Sequence, residues 1–291
     1  MSDTGTPTPT PPLWMRCLPR RGLSRLVGWF ARRRAPRFLL DPILRWYCRH
    51  YGVDELEMKE PLESYPTFVA FFTRALRDGV RPQDPDPRAI TSCADGRVQR
   101  VGSIEDGQLL QVKGITYSVD ELVGSADDAA PFGSGTFHVV YLSPGDYHRY
   151  HWPWAGRVTK IRHVPGELWP VNDAAVHSVP SLFAVNERVV VLGETDGGHG
   201  FAFIPVGALN VGSIRLAFHD VRTNRGGART VQTWDVDVPF GRGDECGRFE
   251  LGSTVVLLLA EGAGTFDAFD PAAPLEVGQR IGTLADVSRE G

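Results

Sequence analysis

Two patterns of hydrophobic spacing divide this chain. Up to about residue 80 the apolar positions recur three and four apart. Leu23, Leu26, Val27 and Phe30 follow i, i+3, i+4, i+7 with arginines beside them, and Ser24 stands where a helix cap could form. Asp41-Pro42 then reads as an N-cap and first helical residue ahead of Leu44, Tyr47, Cys48 and Tyr51 at the same spacing. The stretch FVAFFTRAL predicts a third helix, starting near Thr67. From about Ser92 the pattern shortens to apolar runs cut by glycine and proline: FHVVYL, RVTKIRH, RVVVL, FAFIPV, SIRLAF, VQTWDVDV and STVVLLLA. Strands at this density predict a compact, mainly antiparallel β domain, with one brief helix where Ser118 and Glu121 form a capping-box pattern. The expected class is therefore α+β: a Thr/Pro-rich disordered tail over 1–13, basic amphipathic helices over 14–80, and a β-rich domain over 81–291.

Charge sharpens that division. The 291 residues carry a formal net charge of only -4, yet Met15 to His50 holds ten arginines against one acid. That local +9 leaves -13 on the rest, so the basic end calls for an anionic partner. Trp29, Phe30, Trp46 and Tyr47 lie among those arginines, a composition suited to an anionic lipid interface. The plainer alternative packs the apolar stripe on the β domain and leaves the arginines solvated, and one helix face can do each. Cys17, Cys48, Cys93 and Cys246 form no C-x-x-C pair, which argues against a zinc ribbon or disulfide scaffold and for a reducing compartment. The N-terminus lacks a signal-peptide pattern, and no segment approaches the roughly 20 apolar residues of a membrane span.

Candidate chemistry concentrates in SPGDYHRYHWPW, where His148 and His151 follow the strand that ends at Leu142. Two histidines three apart could ligate a metal, act as acid and base, or serve the loop. A zinc site would need further ligands that no companion motif supplies, whereas imidazole suits proton transfer near neutrality. Asp95-Gly96 in SCADGRV reads as a tight turn, and its aspartate could instead orient an imidazole. Spacing does not rank it above Asp106, Asp120, Asp146, Asp244 or Glu250. Ser253, behind Gly252 at the mouth of an apolar run, completes the set as a turn residue or a nucleophile.

Taken in order, these motifs resemble the phosphatidylserine decarboxylase family in its bacterial, membrane-associated form. LGST (251–254) is similar to that family's self-cleavage motif, DYHRYHWP to its paired-histidine segment and ADG to its aspartate turn. YPTFVAFFTRAL, KGITYSVDELVG, GELWPVN, NERVV, GALNVGSI and RGDECGRFELGST agree as well, so the likeness runs from Leu18 to the end.

The resemblance implies a proenzyme that cuts itself between Gly252 and Ser253, into a β chain (1–252) and an α chain (253–291) that stay associated as a heterodimer, with a higher oligomer left open. It implies a relay of Asp95, His151 and Ser253 for that cleavage. Loss of the ester by β-elimination would then turn Ser253 into a pyruvoyl group. This covalent cofactor would decarboxylate phosphatidylserine to phosphatidylethanolamine through a Schiff base, with His148 assisting and no metal or external cofactor required. The implied setting is the cytoplasmic face of the cell membrane, on an anionic surface, with no nucleic acid involved. Two other readings of the same residues are a serine hydrolase using that relay on external substrates, and a noncatalytic lipid-binding module. No G-x-S-x-G elbow supports the hydrolase.

Overall fold

The computed structural model describes residues 20–110, 116–171, 173–176, 178–209, 213–224, 230–250 and 253–286. The tail expected to be disordered over 1–13 lies outside the described residues, as does Gly252. The class is α+β as expected, with mostly antiparallel sheets and its longer helices near the N-terminus.

Among the described residues three α-helices come first: α1 (Arg20–Ala31), α2 (Arg37–Tyr51) and α3 (Phe68–Phe72). Their boundaries differ from those the spacing predicts. Ser24 lies inside α1 and not at its start. Asp41-Pro42 also falls inside its helix, which starts after Pro36. Pro42 costs α2 a single backbone bond, to the carbonyl of Phe38 in a solvent-facing turn, and Asp41 pairs with Arg37 one turn back at 3.1 Å. At the other end Gly52 takes φ 69°, and Val53 N–H bonds the Cys48 carbonyl at 2.9 Å, closing the helix with a left-handed residue. Thr67 caps α3 as expected, its hydroxyl accepting from Ala70 N–H at 3.1 Å. That helix stops at Phe72, however, short of the predicted FVAFFTRAL, and just beyond it Arg74 turns inward to meet the carbonyls of Gly145 and Asp146.

The central sheet runs β11 (Gln232–Phe240), β7 (Gly156–Val164), β8 (Arg188–Thr195), β9 (Gly200–Val206), β13 (Ser253–Leu259), β5 (Thr136–Leu142), β2 (Gly96–Ser103) and β15 (Pro274–Leu275). Every pairing in it is antiparallel. A smaller sheet joins β10 (Ile214–Leu216), β12 (Glu245–Phe249) and β6 (Arg149–His151), and another joins β1 (Ala89–Thr91), β16 (Arg280–Leu284) and β14 (Gly264–Phe266). A hairpin of β3 (Gln108–Leu110) and β4 (Thr116–Ser118) leads into α4 (Val119–Val123), where the Ser118 hydroxyl accepts from Asp120 N–H at 3.0 Å.

The middle strands of the central sheet, β8, β9, β13 and β5, are covered on both faces, which explains why they read as unbroken apolar runs. Alternate residues of β13 enter different cores. Val255, Leu257 and Leu259 join Phe203, Val140 and Leu142 under the small sheets, while Val256 and Leu258 join Phe137, Val139 and Ile204 under α2 and α3. All five of those β13 side chains are fully buried. At about 1.5–3 kcal/mol each, their burial amounts to something on the order of 10 kcal/mol. Tyr47, grouped with the lipid-facing aromatics on composition, is buried with the apolar stripe instead: its ring packs on Phe68 and Phe71, and its hydroxyl donates to the Pro144 carbonyl at 2.6 Å.

Candidate active site

The turn between β1 and β2 holds Asp95, which is buried. Gly96 follows it because β2 and β5 approach closely there: a Cβ at that position would sit 2.2 Å from the Tyr141 carbonyl oxygen. Asp95 Oδ1 accepts from Val277 N–H at 2.8 Å, and the carboxylate takes a forked contact from Arg81, Nη2 to Oδ2 at 2.8 Å and Nε to Oδ1 at 3.0 Å. The same guanidinium reaches Glu57 at 2.8 and 2.9 Å, so Arg81 is clasped between two carboxylates. Burial opposes its charge, but Glu57 and Asp95 together hold the Arg81 pKa above the ordinary arginine value.

His151 ends β6. Its backbone N–H bonds the Cys93 carbonyl at 2.7 Å, two residues before Asp95, which ties the histidine strand to the aspartate turn. The ring Nδ1 lies 2.8 Å from the Gly243 carbonyl. A carbonyl oxygen only accepts, so Nδ1 carries the proton and Nε2 of the neutral ring presents a lone pair. The Tyr147 hydroxyl, 3.1 Å away, donates to it. Burial is the main cause lowering the His151 pKa; Glu245, its cross-strand partner, and Asp95 act in the opposite sense through their charge. The ring is therefore a neutral, oriented base.

His148 is fully buried against Phe72, ring centroids 3.9 Å apart. Its Nδ1 donates to the Asp146 carbonyl at 2.8 Å, and its Nε2 has no hydrogen-bond partner among the described residues. Burial, reinforced by the nearby Arg74 guanidinium, pushes its pKa down to about 3.

Ser253 is the first residue of β13 and pairs with Leu142, the residue from which the histidine loop departs. The segment just before it is anchored as well: Phe249 N–H bonds the His148 carbonyl and Glu250 N–H the Ser213 carbonyl, each at 2.9 Å. The backbone thus enters and leaves Leu251-Gly252 from fixed points beside the histidine loop.

Asp95 and His151 are neighbours through backbone and charge, but no hydrogen bond joins their side chains: Arg81 takes the carboxylate and Gly243 takes Nδ1. Among the competing carboxylates, Asp146 and Asp244 accept from backbone N–H groups of Ser143 and Gly241 within their own turns. Glu250 pairs with Arg32 at 2.9 Å and Arg215 at 3.4 Å. Glu245, Tyr147 and Arg81 escaped the sequence reading. Their roles depend on cross-strand register and on contacts between distant segments, which no local spacing encodes. Among the described residues no three or more His, Cys, Asp or Glu side chains group to hold a metal ion.

Comparison with known proteins gives this geometry its context. The sequence model of the family described as phosphatidylserine decarboxylase matches residues 68–283, and a second, described as PSD, matches 14–52. A phosphatidylserine decarboxylase proenzyme of Myxococcus xanthus is 42% identical over 271 residues, covering 93% of this chain and 96% of that protein. Proteins of the same name from Azotobacter vinelandii, 43% identical with 93% and 96% covered, and Halorhodospira halophila, 44% identical with 92% and 91% covered, agree with it. Matched in this way along nearly its whole length, the chain belongs to the phosphatidylserine decarboxylase family.

Proposed function

We propose that this chain is a self-cleaving proenzyme whose mature form decarboxylates phosphatidylserine to phosphatidylethanolamine. One observation carries the reading: the loop bearing both histidines leaves β5 opposite Ser253, the residue where the family likeness puts the cut. In the precursor, Ser253 Oγ attacks the Gly252 carbonyl carbon and gives its proton to His151 Nε2, directly or by way of the Tyr147 hydroxyl. The Gly252–Ser253 amide becomes an ester and a free amine. Asp95, held by Arg81, supplies negative charge that favours the imidazolium formed at that moment. Elimination across Ser253 then releases the Gly252 carboxylate, and hydrolysis with loss of ammonia leaves the keto acyl cap.

The cap's ketone supplies an electron sink for the carboxyl carbon's departing bond. Position 253 fits such a group. The strand behind it is fully buried from Thr254 to Leu259 and paired on both sides, so the new chain end stays fixed after cleavage. By the family likeness His148 assists the decarboxylation or protonation step; its Nδ1–H is given to the Asp146 carbonyl, so the unsatisfied Nε2 of the neutral ring is suited to accept a proton or hydrogen bond there. The same burial keeps the two chains together as a heterodimer.

The lipid substrate accounts for the N-terminal face. Leu26, Trp29, Phe30, Phe38, Leu39, Ile43 and Trp46 are all exposed beside Arg33, Arg37, Arg45 and Arg49. Such a surface suits peripheral attachment to the anionic cytoplasmic face of the cell membrane. No described helix is long and apolar enough to cross a bilayer.

Intact-mass analysis of the purified protein tests the reading. It should find two chains divided after Gly252, the smaller one trapped by a hydrazine and lacking a free amino terminus. Ser253→Ala should leave one uncut chain. A wild-type protein that stays full length over days, or a small chain beginning with ordinary serine, would refute it.

A further inference from the structure

Arg74 is only 5% exposed, yet it is poorly satisfied. Nη2 donates to the carbonyls of Gly145 at 2.9 Å and Asp146 at 3.3 Å, and the guanidinium lies over the Phe71 ring at 5.6 Å. Nε and Nη1 are buried with no hydrogen-bond partner, and no carboxylate pairs with the group among the described residues. Clasping the loop uses one nitrogen of three. A buried cation with two idle donors is costly unless an anion completes it. The Asp146 carbonyl that Arg74 holds is also the acceptor for His148 Nδ1, so the idle donors and the idle Nε2 of His148 flank one backbone group.

Resting on the decarboxylase reading, we infer that Arg74 is the phosphate-binding residue of the substrate site, a phosphodiester oxygen of the serine lipid completing its incompletely partnered guanidinium. The other anion on that lipid, the carboxylate, is the wrong occupant. It loses its charge as carbon dioxide departs, so a guanidinium on it would stabilise the ground state more than the transition state. The phosphodiester keeps its charge throughout. It is also only three bonds from the carbon that loses the carboxylate, which matches a guanidinium and an imidazole that share one carbonyl of the histidine loop.

Calorimetric titration of glycerophosphoethanolamine, ethanolamine and serine into the purified chain tests the site without depending on turnover. Glycerophosphoethanolamine should bind wild type roughly ten- to a hundredfold more tightly than ethanolamine, the worth of charge-assisted hydrogen bonds. Arg74→Gln should abolish that advantage, and Arg74→Lys should restore part of it. With short-chain phosphatidylserine, and rates normalised to the amount of small chain, R74Q should raise KM by a similar factor. Equal wild-type affinity for glycerophosphoethanolamine and ethanolamine overturns the inference with no variant needed. So does an R74Q protein with unchanged preference, or a preference for serine that disappears in R74Q, which would give the guanidinium to the carboxylate. Carbon dioxide release by wild type is scored separately, so a failure of the decarboxylase reading is distinguished from a failure of the phosphate site.

Discussion

His138 lies in the middle of β5, opposite Leu257 of β13 on one side and Val101 of β2 on the other. It is fully buried beside Phe266 and Phe269, ring centroids 5.3 and 6.0 Å away, and neither ring nitrogen has a hydrogen-bond partner among the described residues. Burial alone drives its pKa from 6.5 to about 4. Above pH 6.5 the ring is neutral in both folded and unfolded chains, so it adds no pH dependence. Below that, the unfolded chain binds a proton that the folded chain refuses until about pH 4, and stability falls across this window. The loss comes to about 2 kcal/mol between pH 7 and pH 5, and about 3 kcal/mol in full. His138→Leu, similar in volume and unable to titrate, should remove that share. Urea unfolding of Ser253→Ala and Ser253→Ala/His138→Leu proteins at pH 7 and pH 5 measures it, since the uncut background avoids chain dissociation and His148 contributes equally to both. The double variant should lose about 2 kcal/mol less than its parent over that interval. Equal losses, or an NMR titration of His138 centred near 6.5, would refute the reasoning.

The division of labour between the site histidines is testable by chain masses and carbon dioxide release together. His151→Ala should slow self-cleavage by orders of magnitude, whereas His148→Ala should mature and then decarboxylate poorly; equal effects on cleavage would undo the assignment. Gly96→Ala should lower the urea midpoint by the equivalent of about 1–3 kcal/mol, because its Cβ would meet the Tyr141 carbonyl oxygen at 2.2 Å and push β2 from β5. Replacing exposed Phe38 and Trp46 by alanine should weaken sedimentation with anionic vesicles while leaving the thermal midpoint within a degree or two. Unchanged vesicle binding would remove α2 from the membrane face.

The residue pattern determined a good deal by itself. The runs FHVVYL, RVVVL, FAFIPV and STVVLLLA became adjacent strands of one sheet, and DYHRYHWP, ADG and LGST marked the histidine loop, the aspartate turn and the head of β13. These features are legible because strand formation, turn chemistry and a family's short motifs are carried by neighbouring residues. Helix limits were less so. Pro42 and Ser24 carry start signals that fall inside their helices, and α3 stops short of the predicted run just before Arg74, whose partners lie some seventy residues further on.

What only the tertiary structure decided is the electrostatic setting of the site. Arg81 joins Asp95 to Glu57, Tyr147 and Gly243 fix the His151 tautomer, Glu245 faces His151 across a strand pair, and Arg74 shares a carbonyl with His148. Each contact depends on burial and on a distance between side chains brought together by sheet register. Charge and proton affinity are set by what surrounds a group in space, and that surrounding exists only once the chain has folded.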